Sequence, residues 1–226
     1  MQMQFRRLAG AMLMAGTVMA VSVAPAVAQE ITVPEKLLFM SKHFEDTKES
    51  KLTYTYRHET EPEAFAEEVS LDISQHHPDG TVSIVAHFLS GPRQVPLPPL
   101  EQAEGNPVIL GFLERDIQQM KRETGGSTGY FRKRIRLALA SPDLPVTDTT
   151  VKYEGREVVA QKIAIHPYEH DPLRERFGKY ADKAYIFILS DAIPGSLYSM
   201  YTTIKDANKK ETVDTSLTIT GGETAK

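Results

Sequence analysis

The sequence predicts an α+β fold: a mostly antiparallel, curved, half-barrel-like sheet covered by a central helix pair and an N-terminal helix. Three observations carry this. Period-two segments joined by short turns fill both ends of the chain. Two segments of helical period lie side by side in the middle, from Asn106 to Ala140. No helical segment separates successive strands, as parallel pairing would require.

Residues 1–28 come first. Arg6 and Arg7 make a positive start, Leu8 to Ala24 carries no charge, and Ala26-Val27-Ala28 places small residues before a cut after Ala28. This is the pattern of a secretory signal peptide, although an uncleaved N-terminal anchor would look similar. Cleavage would leave residues 29–226, enough for the single domain expected there. The protein is then expected in the periplasm or secreted.

Pro34 to Phe44 reads as a short amphipathic helix, with Pro34 in its first turn and Leu37, Leu38, Met40 and Phe44 facing the core. Glu45 to Ser50 is a charged connection, and Leu52 to Tyr56 is a β-branched and aromatic strand. Val69, Leu71 and Ile73 alternate with polar residues, as do Val82, Ile84, Ala86 and Phe88, and Asp79-Gly80 supplies the hairpin turn between them. The proline-rich stretch Gly91 to Pro99 must be a crossing loop or an extended edge.

Asn106-Pro107 is a helix start, an N-cap followed by proline. Ile109, Leu110, Leu113, Ile117 and Met120 form the apolar stripe, and Gly125-Gly126 stops the helix. A second helix from Gly129 to Ala140 turns Phe131, Ile135, Ala138 and Leu139 inward and ends before Pro142. Strands then resume: Val151 to Val159 around a turn at Glu154-Gly155, then Gln161 to Ile165. Ala184 to Leu189, almost wholly apolar, suits a central strand; Ser196 to Ile204 and Thr212 to Thr220 complete the set.

Composition narrows the chemistry. The chain has no cysteine, hence no disulfide, thiolate metal site, cysteine nucleophile or lipoprotein anchor. Its formal charge of −4 gives no general attraction to nucleic acid, and no cofactor motif is present. Gly125-Gly126-Ser127-Thr128-Gly129 matches the Gly-x-Ser-x-Gly nucleophile elbow, with Asp143 or Asp171 and His166 or His170 following. The elbow requires a strand before the serine, however, and the preceding segment is helical. The motif reads better as a helix stop and an N-cap at Ser127 or Thr128.

His166, Glu169 and His170 are metal-type ligands, but Pro167 and Pro172 oppose the helix that would align them, and solvated loop histidines are the simpler reading. The strongest charge feature is the run Arg132, Lys133, Arg134 and Arg136, which spreads around one side of the second helix. Such a run is usually a solvated face; otherwise it suits an anionic membrane surface or an acidic protein partner.

The leading helix Leu37 to Phe44, the hairpin Val69 to Phe88, the helical lid Asn106 to Ala140 and the closing strands together resemble the periplasmic lipoprotein carriers of the LolA and LolB type. The likeness is one of architecture and carries over no individual binding residue. It implies a half-barrel under a helical lid and an apolar or acyl ligand. The expected function is therefore a soluble exported binding protein for a lipid or other apolar ligand, without catalysis. The alternatives are an envelope interaction or scaffold protein with a filled core, and a serine hydrolase using Ser127.

Overall fold

The computed structural model describes residues 30–60, 63–205 and 208–223. The predicted signal peptide, residues 1–28, lies outside the described residues. Helix α1 spans Val33–Phe39, α2 Pro107–Thr124 and α3 Thr128–Leu139. The strands are β1 (Lys51–His58), β2 (Phe65–His76), β3 (Val82–Phe88), β4 (Leu100–Ala103), β5 (Val146–Tyr153), β6 (Arg156–Ile165), β7 (Ala184–Leu189), β8 (Leu197–Lys205) and β9 (Glu211–Glu223).

All nine strands form one open antiparallel sheet in the order β4-β3-β2-β1-β9-β8-β7-β6-β5, so the α+β prediction holds. It consists of two meanders, β1 to β4 and β5 to β9, fused where the first strand pairs with the last. Among the described residues the helix pair is the long connection between them. It must run from one sheet edge, β4, to the other, β5, and does so across a face, burying that face. Register shifts in β1–β9, β2–β3, β3–β4, β7–β8 and β8–β9 mark bulges, which bend and twist an open sheet.

Alternation sets the two faces. Leu52, Tyr54 and Tyr56 of β1 are buried, while Lys51, Thr53 and Thr55 are half-exposed. The buried residues meet Phe112 of α2 and Phe88 of β3, whose rings lie 6.0 and 5.9 Å from that of Tyr56. Farther along, Phe131, Tyr168, Phe177 and Tyr185 stack edge to face. Aromatic rings thus fill the space between sheet and helices. Approach is close: a Cβ added to Gly111 of α2 would stand 2.4 Å from the Phe88 ring.

The Asp79-Gly80 turn forms as predicted, with Gly80 at φ 81°, and Gly125 caps α2 at φ 71°. Several details differ from expectation. Helix α1 stops at Phe39, and Met40, its C-cap, is 51% exposed rather than inward. Leu110, expected in the core, is 55% exposed, and Leu37 and Ala138 are only half-buried. Leu110 sits at the margin of the α2 stripe, where neighbouring helices could cover it but do not. Strand β5 begins at Val146, not Val151; β4 and a 3-10 turn at Arg174–Tyr180 were not anticipated. Strand β7 is interior, but the middle of the sheet is β9.

Candidate functional site

The helix layer holds an apolar groove of about 510 Å³, within the roughly 300–1,000 Å³ of small-molecule sites. Its walls come from α1 (Phe39), the proline-rich connector (Val95, Pro96, Leu97), α2 (Leu110, Leu113, Ile117) and α3 (Ile135, Leu139). None of its lining residues lies in a strand, so the groove is within the helix layer rather than between that layer and the sheet.

Specific hydrogen bonds hold these walls. The Thr32 side chain caps α1 with Glu35 in a reciprocal capping box, and its Oγ1 also donates to the Leu139 carbonyl at 2.9 Å, tying α1 to the end of α3. His43 Nε2 hydrogen-bonds the Leu37 carbonyl at 2.7 Å, and its Nδ1 accepts the Asn106 N–H at 2.9 Å, tying α1 to the start of α2. His43 is therefore a neutral tautomer with both nitrogens used, and burial pushes its pKa below the usual histidine range. The Val95 N–H donates to the Phe88 carbonyl at 2.9 Å, laying the connector against β3. The proline-rich stretch is thus a wall of the groove as well as a crossing loop.

Four charged residues stand at the rim: Glu35, Glu114, Arg132 and Arg136. Both carboxylates are engaged. Glu35 Oε2 accepts from the Thr32 N–H at 3.0 Å, and Glu114 takes Arg132 Nη2 at 3.0 and 2.9 Å. The Arg136 side chain makes no hydrogen bond or ion pair among the described residues. An apolar trough with one uncommitted guanidinium at its mouth suits an amphiphile with an anionic head.

The structure thus divides the basic run. Arg132 and Arg136 line the groove, and Lys133 is exposed. Arg134 points elsewhere: its Nε is 2.7 Å from Oδ2 of buried Asp171, whose Oδ1 receives the Tyr130 hydroxyl at 2.6 Å and the Leu173 N–H at 2.7 Å. Arg134 therefore pins the segment after β6 onto α3. Ser127 is the N-cap of α3, its Oγ accepting from the Tyr130 N–H at 3.2 Å, and the element before it is α2, not a strand. His166, Glu169 and His170 are exposed, and no group of three possible metal ligands gathers among the described residues.

A second cluster escaped the sequence reading. Lys183, 0% exposed, places its Nζ 2.5 Å from Asp116 Oδ1 of α2 and 2.9 Å from Asp214 Oδ2 of β9. The Tyr185 hydroxyl donates to Asp116 Oδ2 at 2.6 Å, the Tyr168 and Tyr185 hydroxyls are 3.0 Å apart, and Thr60 Oγ1 donates to Asp214 Oδ1 at 2.6 Å. Burial alone would lower the Lys183 pKa, but Asp116 and Asp214 outweigh it and raise it. Burial would likewise raise Asp214, yet Lys183 and Thr60 hold it below the usual carboxylate range. Satisfied and sealed, this cluster clamps α2 to the sheet. The clue in the sequence was Asp116, four residues from both Phe112 and Met120 and hence on the buried face of α2.

Comparison with known proteins finds no matching family model, no matching curated relative and no matching solved structure. No helix among the described residues is long and apolar enough to cross a membrane.

Proposed function

We propose that this is an exported, non-catalytic binding protein that holds an acyl chain in the groove between α1, α2 and α3, with the anionic head of the ligand at Arg136. The observation that carries this is the groove itself: an apolar trough walled by the buried Leu113, Ile117, Ile135 and Leu139, with Leu110 exposed at its edge and a guanidinium without a partner beside it. Open apolar surface of this kind costs stability, and a ligand that covers it recovers the hydrophobic gain. The alternative, an envelope interaction protein with a filled core, draws on the aromatic packing between sheet and helices.

Dodecanoate titration in detergent-free solution separates them. The wild type is expected to bind saturably, and native mass spectrometry of protein purified without detergent to show a lipid adduct. Leu97→Gln/Leu110→Gln replaces two groove residues that are not fully buried, so the fold should survive. Affinity should drop about tenfold or more, the equivalent of ~1.4 kcal/mol of apolar contact. A bare mass together with no saturable binding would rule the groove out as a ligand site and leave the filled-core alternative.

A further inference from the structure

We propose that the outer strip of α3, with the α1 entry beside it, docks on an anionic lipid bilayer and sets the groove mouth against the lipid head groups. This rests on the acyl-binding reading of the groove but draws on different residues. Lys133, Arg136 and Leu137 follow at spacings of three and four, so they form one strip, opposite the buried Phe131, Ile135 and Leu139. The Thr32 hydroxyl, bonded to the Leu139 carbonyl, holds Ile31 and Val33 beside the end of that strip. Val33 is 60%, Leu137 45% and Ile31 44% exposed, a concentration of aliphatic surface next to cations.

The charges decide the occupant. Four basic residues lie on α3, but Arg132 is taken by Glu114 and Arg134 by Asp171. Lys133 and Arg136 have no partner among the described residues, and the nearby acids Glu35 and Glu114 are already committed to Thr32 and Arg132. A positive strip therefore stands out on a chain of net charge −4. Cations interleaved with exposed aliphatics match a bilayer interface, where anionic heads meet the former and the acyl boundary takes the latter. An acidic protein would satisfy the cations but leave the aliphatics unexplained. Arg136 belongs to both the strip and the groove rim, so a docked protein would receive or release an amphiphile at the head-group level. With two free cations and three aliphatics, the adsorption is weak, reversible and sensitive to salt.

The test is co-sedimentation of the protein with phosphatidylcholine vesicles, with and without phosphatidylglycerol. The protein is expected to pellet with the anionic vesicles at low salt and to be released as the screening length shrinks from about 10 Å at 0.1 M to about 3 Å at 1 M salt. Lys133→Glu/Leu137→Gln, neither residue lining the groove, should reduce pelleting about fivefold or more. Lys133→Gln/Leu137→Gln should fall in between, and thermal melting would confirm that both variants are folded.

Equal pelleting with neutral and anionic vesicles, or undiminished pelleting of folded Lys133→Glu/Leu137→Gln, overturns the proposal. So does a variant that keeps vesicle binding but loses capture of an acidic protein, which would make the strip a protein interface. The groove is tested separately: Lys133→Glu/Leu137→Gln should keep its dodecanoate affinity, and Leu97→Gln/Leu110→Gln should keep its vesicle binding. In the wild type, failure to bind dodecanoate together with retained vesicle binding overturns the groove reading alone, and failure to pellet with anionic vesicles together with retained dodecanoate binding overturns docking alone.

Discussion

One helix, α2, serves two regions that invert the usual rule. Its inner face carries Asp116 into the sealed cluster with Lys183 and Asp214, where charge is buried completely. Its flank carries Leu110, Leu113 and Ile117 into the groove, where Leu110 is left accessible in front of the buried Leu113 and Ile117. Charge buried and hydrocarbon open are both unfavourable in isolation, and the difference lies in how each is compensated. The cluster is closed by its own partners: two carboxylates, one ammonium, and the hydroxyls of Tyr185 and Thr60. The groove has no such internal partner, and under the binding proposal its compensation comes from a ligand. That contrast separates a structural clamp from a proposed binding site.

The sharpest way to break the contrast is Lys183→Met. It leaves Asp116 and Asp214 buried without their shared cation, and loss of one member of a buried pair typically costs about 3–5 kcal/mol. Urea denaturation should show this loss. The triple variant Asp116→Asn/Lys183→Met/Asp214→Asn should lose less than Lys183→Met alone, since no uncompensated charge remains. If Lys183→Met unfolds at the wild-type urea concentration, the cluster is not a clamp.

Acid and base should reach the clamp region at different pH. His43 and His58 both have pKa values lowered chiefly by burial. Their neutral forms stabilise the fold fully above the unfolded value near 6.5, and that contribution is lost as pH falls through their folded values. Asp214, also lowered, adds stability that is present above about 3.9 and lost below it as its folded pKa is passed. At the other end Lys183 is raised, Asp116 and Asp214 outweighing the lowering by burial, and Tyr185 is raised first by burial and then by Asp116. Their contributions are complete below about 10 and disappear as pH rises through the folded values. Urea midpoints should therefore be flat from about pH 7 to 10 and fall on both sides. His43→Gln/His58→Gln should remove the first acid slope while keeping the second.

How far these features were legible follows from the range of the forces involved. Caps and turns depend on neighbours in the chain, so Asn106, Gly125, Ser127 and Asp79-Gly80 could be read directly. Alternation likewise announced β2, β3 and the fold class. By contrast β4, Leu100–Ala103, contains no β-branched residue and is a strand only because β3 offers it a partner. Leu110 fits the α2 period as well as Leu113 does, and only the placement of α1 and the connector decides that it stays open. Lys183 meets Asp116 across 67 positions of chain and Asp214 across 31, pairings that local patterns cannot encode. The basic run was visible as composition, but its division into paired Arg132 and Arg134 and unpaired Lys133 and Arg136 depends on partners from α2 and the loop after β6.

The smallest effect sharpens the comparison from the other side. Arg132 and Glu114 form an ion pair with the same kind of charges as Lys183 and Asp116, at 2.9 Å, but on the groove rim with the arginine 56% exposed. Water already solvates both partners, so Arg132→Ala should change stability by no more than about 0.5 kcal/mol. It should nevertheless disturb binding, because it frees Glu114 as an uncompensated carboxylate beside the site proposed for an anionic head. Dodecanoate affinity should fall while that for dodecanol, its uncharged counterpart, stays close to wild type. An equal loss for both would assign Arg132 to packing of the groove wall through its methylene stem rather than to the electrostatics of its rim.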